Sequence, residues 1–354
     1  MATIRKKTGN FLEDFTIGGI LRHKVGKTVN EGLLSAFTEF SMTTNPLHKN
    51  RRYARAYGFR DMILPPGLVM AVVFSQSVED ISENARANLE YVDMRFGAPV
   101  YIGDTIESTS VVLGVTPSSR DKSLGVVHVQ TTGRNQHDDV VLTYERKVQV
   151  WKYDVEAPVA KASTEAPPVA CELVLPAYDP ATPYASLRHL SNDDTYFENF
   201  TVGDTIEHSR GRTMTTEHIA LTAMLDNTSQ VHCNQYMIDQ NPDRYVGGQL
   251  IIFGGIPFNL CLGLSAPDVA DNSLGDITYK TGRHSAPLFA GDTVFAWSEI
   301  LAVAEIPNRK DVGALRLRTV ATKDRPCPDF PLKAGDDYDP AVILDLDYWV
   351  LTPR

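Results

Sequence analysis

The sequence predicts an α+β protein built from two tandem copies of one unit, each an antiparallel sheet wrapped around a central helix. Three observations carry this. Two segments recur in the same order at nearly the same spacing: EDFTIG (13–18) with ENFTVG (198–203), and RFGAPVYIGDTIE (95–107) with RHSAPLFAGDTVF (283–295). His23 and His208 fall at matching places after the first of these. Ordered repetition of this kind marks duplication of a structural unit. Within each copy an apolar helical segment precedes several β-branched runs, which is the order of an α+β unit with a sheet on one helix. Between the copies lies DVEAPVAKASTEAPPVACELVLPAYDPATP (154–183), rich in Pro and Ala and without apolar periodicity, as a surface linker would be. The boundaries follow: a first unit over 1–153, a linker over 154–190 and a second unit over 191–354.

Each copy opens with a short strand and turn leading to an apolar helix that ends near a histidine, His48 in the first and His232 in the second. In TTNPLH (43–48), Pro46 biases Asn45 away from the helical region and stops the preceding helix. A glycine-containing turn then opens a second apolar helix, PPGLVMAVVFSQSV in one copy and FGGIPFNLCLGLS in the other. The runs TIESTSVVLGV, GVVHVQTTG, TVFAWSEILAVAEI and ALRLRTVATK have strand composition. This layout predicts a pseudo-dimer within one chain, with the two central helices side by side under a continuous sheet.

Composition bounds the function. At 354 residues the chain can form two domains, each able to bury a core. The net charge of −10 is interspersed, with no basic tract to follow a phosphate backbone, so nucleic acid is not expected as a partner. MATIRKKTGNFLEDF lacks the apolar run of a signal peptide. The longest apolar run, LVMAVVF (68–74), is far short of the roughly 20 residues that span a bilayer. A soluble, cytosolic protein with no membrane partner is expected. Cys171, Cys233, Cys261 and Cys327 have no paired metal spacing and read as free thiols. Cys233 adjoins His232, but adjacent side chains usually point apart.

These motifs together resemble the hotdog fold, and within it the MaoC-like, R-specific enoyl-CoA hydratases, whose signature is Asp-x-Asn-Pro-x-His. Asn45, Pro46 and His48 match it, with the small Ala54 following after KNRRY. Gly67 and the strand at 94–104 stand where that family places its oxyanion turn and the strand beside the thioester. With DNTSQVHCN (226–234), FGGI (253–256) and the C-terminal LDLDYWVLTPR, the similarity narrows to the mesaconyl-CoA hydratase branch and spans nearly the whole chain. The resemblance implies a tandem (double) hotdog acting on a small-molecule CoA thioester, by reversible hydration of mesaconyl-C1-CoA to β-methylmalyl-CoA. It implies no metal or nucleotide cofactor, and none of the usual ligand clusters or GxGxxG turns appears. Hotdog units often pair further, so a homodimer is expected.

Hydration of a 2-enoyl thioester needs an activated water at the β-carbon, a proton at the α-carbon and donors for the enolate oxygen. Both copies depart from the signature: Thr43 holds the acidic position of the first, and Asn227 that of the second, with Asp226 one residue before it. Ser229 and Gln230 replace Asn-Pro there. His232 is therefore expected to be the general acid/base, with Asp226 or Asn227 orienting the water. His48 with Asn45 is the other candidate, and Glu39 could supply its missing acid. Gly67, or Gly254 and Gly255, would let backbone N–H groups approach the thioester oxygen. The free carboxylate of a mesaconyl group calls for a cationic partner, for which Arg60, Arg95 and Arg283 are candidates. Asn84 and Arg86 are expected along the CoA path, and Asp61, Met62, Ile63, Met94 and Phe96 beside the substrate. Two other readings keep the fold: a thioesterase using Glu39 or Glu217, and a CoA-thioester-binding protein without turnover.

Overall fold

A computed structural model describes residues 8–176, 184–192 and 194–354. The part of the linker at 177–183 lies outside the described residues. The first copy runs β1 (Ile20–Arg22), β2 (Lys27–Thr28), α1 (Glu31–Phe40), α2 (Arg51–Ala56), α3 (Pro66–Gln76), β3 (Ala85–Phe96), β4 (Thr105–Pro117), β5 (Leu124–Arg134) and β6 (Val140–Trp151). In the linker, β7 (Ala162–Ser163) pairs with β4. The second copy repeats the plan with β8 (Thr205–Thr213), α4 (Glu217–Met224), α5 (Gln235–Gln240), α6 (Gly255–Val269), β9 (Gly275–His284), β10 (Thr293–Glu305) and β11 (Val312–Lys323). A small hairpin of β12 (Lys333–Ala334) and β13 (Asp337–Tyr338) precedes the last strand, β14 (Val342–Pro353).

Local chemistry starts the helices. The side chains of Asn30, Asn50 and Asn234 accept from Leu33 N, Tyr53 N and Met237 N, satisfying amides that the first turn leaves without partners. Pro66 enters α3 at a first-turn position, where its missing N–H costs nothing. Every residue of α3 after Pro66 is buried, and α6 is nearly as enclosed. Helices that are apolar on all sides belong inside a core.

The sheet supplies that enclosure. Its strand order is β1-β4-β5-β6-β3-β9-β14-β11-β10-β8, with β2 and β7 also on β4. The two copies meet at β3 and β9, antiparallel from Glu90 opposite Arg283 to Arg95 opposite Thr278. Along β6 the outer residues alternate with buried ones, so one face of the sheet closes over the helices. Beneath this seam α3 and α6 lie in contact, and Asn259 Nδ2 donates to the carbonyls of Gly67 (2.9 Å) and Gly255 (2.8 Å). One apolar cluster includes Leu68, Met70, Phe258 and Leu260, so the main core is shared across the copies.

The repeated histidines have a structural role. His23 Nδ1 meets Asp80 Oδ2 at 2.8 Å and its Nε2 meets Ser110 Oγ at 2.7 Å. His208 makes the same pair of contacts with Asp268 (2.7 Å) and Ser298 (2.8 Å). Ser110 and Ser298 are fully buried, so neither triad can act as a nucleophile; each clips an edge strand to the sheet and to the end of a central helix. Removing the His208 imidazole takes the ion-pair partner from Asp268 and one of two partners from the buried Ser298 hydroxyl, which keeps Thr319. His208→Ala is expected to lose about 2 kcal/mol of stability in urea denaturation, with kcat unchanged.

Candidate active site

The second copy builds a site from three consecutive turns. Asp226 adopts a left-handed conformation (φ 58°), which reverses the chain after α4. Asn227 Oδ1 then accepts from Ser229 N at 3.0 Å, setting up the short 3-10 turn that ends in His232. The His232 Nδ1 lies 2.8 Å from the carbonyl oxygen of Ile251. A carbonyl can only accept, so Nδ1 carries the proton and Nε2 keeps its lone pair on the cavity side. Burial pushes the imidazole down to about 4, against the Ile251 hydrogen bond, and His218 adds to the lowering. His232 is therefore a neutral base at ordinary pH.

It lines a cavity of about 270 Å³, whose wall is mostly apolar, with Phe74, Val78 and Phe253 prominent. Asn88, Tyr91 and His284 add polar groups from both sides of the β3–β9 seam. Tyr91 Oη lies 3.2 Å from His284 Nε2. Burial drives His284 down to about 4 as well. The Asn88 amide is shielded from solvent and makes only a loose approach to Tyr91. Gly254 lines the cavity at the start of α6, and a Cβ there would lie 3.0 Å from His284 Nε2. The helix begins at Gly255; Ile256 N donates to the Phe253 carbonyl, Pro257 has no N–H and Phe258 N donates to the Gly254 carbonyl, so the amides of Gly254 and Gly255 are the ones left to face a ligand, where the helix dipole favours negative charge. Gly254→Ala is expected to displace His284 and raise KM for the thioester, with little change in thermal stability.

The first copy repeats the geometry on a smaller scale. His48 Nδ1 bonds to the Ile63 carbonyl at 2.9 Å, and burial lowers it to about 4. Asn45 accepts from Leu47 N and donates to the carbonyls of Ala270 and Ser273, so this signature residue fastens the two copies together. Thr43 bonds to Ser41. The missing acid has a replacement from the other copy: Asp276, pushed up to about 7 by burial and bonded to the Tyr279 hydroxyl, lines the same cavity. That cavity measures about 50 Å³. The His232 cavity, at about 270 Å³ against about 50 Å³, is roughly five times larger. Space for an acyl group therefore favours the second copy.

The sequence-predicted residues divide. His232, Gly254 and Arg86 line the larger cavity, with Arg86 exposed on its wall, while Asn227, in the turn before His232, and Gly255, next to Gly254, stand beside it without lining it. Asp226 does not join them: its carboxylate is half exposed and pairs with Lys27, because the left-handed turn directs it outward. Gly67 lines the smaller cavity at the start of α3, and a Cβ there would also lie 2.7 Å from Asn259 Oδ1. Arg60 pairs with Asp104 and stacks on Tyr101; Arg95 pairs with Asp93; Arg283 lies over Tyr338. None of these three arginines lines either cavity. Asp61 pairs with Arg51 and caps Met62, while Ile63 contributes its carbonyl to His48. Asn84 bonds to the carbonyls of Thr8 and Asn10, and Met94 and Phe96 are core residues. Glu39 and Glu217 form surface ion pairs with Lys49 and Arg212. Cys233 is exposed, and burial of its thiol together with nearby Glu83 raises its pKa, which disfavours a nucleophilic thiolate.

Sequence reasoning missed Asn88, Tyr91 and His284. A signal was present: in the repeated RFGAP and RHSAP segments, Phe96 of one copy stands where the other has His284, a polar change at an otherwise matched position.

Fold and site define a double-hotdog, MaoC-like dehydratase. A solved MaoC domain dehydratase from Chloroflexus aurantiacus superposes with a TM-score of 0.90 at 39% identity, covering 99% of both chains. A double-hotdog protein from Mycobacterium tuberculosis shares the fold with a TM-score of 0.75 at 20% identity, covering 97% of this chain and 98% of that one. The chain belongs to the mesaconyl-CoA hydratase family, which it matches over residues 2–334. It is 41% identical to a β-methylmalyl-CoA dehydratase of Chloroflexus aurantiacus, covering 98% of this chain and 97% of the relative. It is 36% identical to a mesaconyl-CoA hydratase of Cereibacter sphaeroides, covering 99% and 100%.

Proposed function

We propose that this protein catalyses the reversible hydration of mesaconyl-CoA, thioesterified through C1, to β-methylmalyl-CoA, and that the His232 cavity is where it does so. The names of its full-length relatives support the reaction. The observation that carries the site is a neutral imidazole on a cavity of about 270 Å³ beside the start of α6. In this reading His232 Nε2 takes a proton from water as the oxygen adds to the β-carbon, and returns it to the α-carbon. Asn227, whose Oδ1 accepts from Ser229 N and so sets the turn that presents His232, helps to orient the imidazole toward that water. The backbone amides of Gly254 and Gly255 at the start of α6 stabilise the enolate oxygen.

The test follows enoyl-thioester absorbance and free thiol together when purified protein meets mesaconyl-C1-CoA. Loss of absorbance without thiol supports the hydratase. Thiol release would instead mean thioester hydrolysis, for which the surface-paired Glu39 and Glu217 give little structural basis. Binding without turnover would mean a thioester-binding protein.

The pH dependence has a definite sign. A base held at about 4 is lost only when it gains a proton, so kcat/KM stays flat from neutral pH down to about pH 5 and falls below it. An acid limb centred at the ordinary histidine value, near 6.5, would contradict this assignment. A cytosolic homodimer completes the reading; sedimentation of the purified protein tests the dimer.

A further inference from the structure

The three arginines that sequence reasoning offered to a substrate carboxylate are engaged at the surface, but another guanidinium is not. Arg146, on β6, is fully buried. Its Nη2 donates to Ser77 Oγ at 2.9 Å, and its Nε and Nη1 meet no acceptor among the described residues. Its guanidinium carbon stands 4.2 Å from the centre of the Phe74 ring. No carboxylate forms a salt bridge with it among the described residues. The C-terminal end of α3, capped at Ser77, offers a partial negative charge, which offsets a full cation only in part. Burial lowers its pKa, but from a value so high that the group stays protonated. An unpaired buried charge is costly, so its retention asks for a use.

Its surroundings indicate the use. Tyr91 stands directly opposite Arg146 in the β3–β6 ladder, and Tyr91 and Phe74 both line the His232 cavity. The cation thus lies one side chain behind the cavity wall. In the other copy Tyr279 occupies the place of Tyr91, and opposite it the ladder has Tyr348, a neutral residue. The duplicated fold carries this charge behind one cavity only, the larger one.

We propose that Arg146 is the specificity-determining residue that makes this cavity select enoyl thioesters whose acyl group bears a free carboxylate. It acts through the field it projects across Phe74 and Tyr91, whose low-polarity surroundings screen it weakly. A carboxylate on the β-carbon, with the Asn88 amide and Tyr91 hydroxyl as hydrogen-bond partners, balances the cation; a neutral acyl group leaves it unbalanced. The proposal rests on the assignment of the His232 cavity as the acyl site.

Two unreactive saturated thioesters, succinyl-CoA and butyryl-CoA, test it by competition against turnover or by direct calorimetric binding. The wild-type protein is expected to bind succinyl-CoA at least about tenfold more tightly; equal affinities overturn the proposal. Arg146→Met is expected to abolish that preference and to lower kcat/KM for mesaconyl-CoA far more than for crotonyl-CoA, whereas Arg146→Lys keeps the preference. Equal losses on both substrates would mean a purely structural role and overturn it. Should Arg146→Met fail to fold, the wild-type comparison and Arg146→Lys still decide. Preference for succinyl-CoA in a protein that does not hydrate mesaconyl-CoA would sink the hydratase reading while supporting the role of Arg146.

Discussion

His232→Gln is expected to lower kcat for mesaconyl-CoA hydration by about a thousandfold, in the range that removal of a positioned general acid/base produces. Glutamine keeps much of the size and polarity of the imidazole, so the fold and the shape of the cavity survive. What disappears is the lone pair on Nε2, the only part of the side chain that can accept a proton from water at neutral pH. The loss should therefore fall on kcat, with KM nearly unchanged. His48→Gln, made in the smaller cavity, should leave turnover close to wild type once the folded fraction is taken into account. The reverse result, with His48→Gln inactive and His232→Gln active, would transfer the chemistry to the first copy, where Asp276 would be its acid.

The second large effect concerns the scaffold. Alanine normally stabilises a helix relative to glycine by up to about 1 kcal/mol. Gly263, in the middle of α6, is expected to show the opposite. A Cβ there would sit 1.7 Å from the carbonyl oxygen of Ser41 and 2.6 Å from its carbonyl carbon. These are backbone atoms at the end of α1, so no rotamer change relieves the clash, and two helices must separate. Gly263→Ala should cost about 4 kcal/mol or more, beyond ordinary overpacking, and its urea midpoint would show it. Because α1 leads directly into Thr43 and Asn45, the same variant should loosen the Asn45 bonds to Ala270 and Ser273. A variant as stable as wild type would mean that the two helices do not meet this closely.

Much of the architecture was legible because its causes are local or repeated. The asparagines before α1, α2 and α5 cap helices within three residues of themselves. The repeated RFGAP and RHSAP segments announced the duplication, and the two His-bearing turns announced the paired sites. The arginines were harder. Arg60, Arg95 and Arg283 looked available in the sequence, yet each has a nearby carboxylate or aromatic ring to satisfy it. Arg146 stood inside LTYERKVQVW as one charge in an alternating strand, with nothing to show that its face of the sheet would be the buried one. Asp226 illustrates the reverse error: one position from Asn227 in sequence, it is turned outward by a positive φ.

The sequence by itself determined the duplicated α+β plan, the helix starts and the two histidine turns, since short-range sterics, capping and periodicity suffice for these. Tertiary structure alone decided which copy has room for an acyl group and which polar groups face it. Those outcomes depend on β3 meeting β9 and on α3 packing against α6, contacts between residues nearly two hundred positions apart. Burial there is what turns His232 into a neutral base and leaves Arg146 a charge with no carboxylate partner among the described residues.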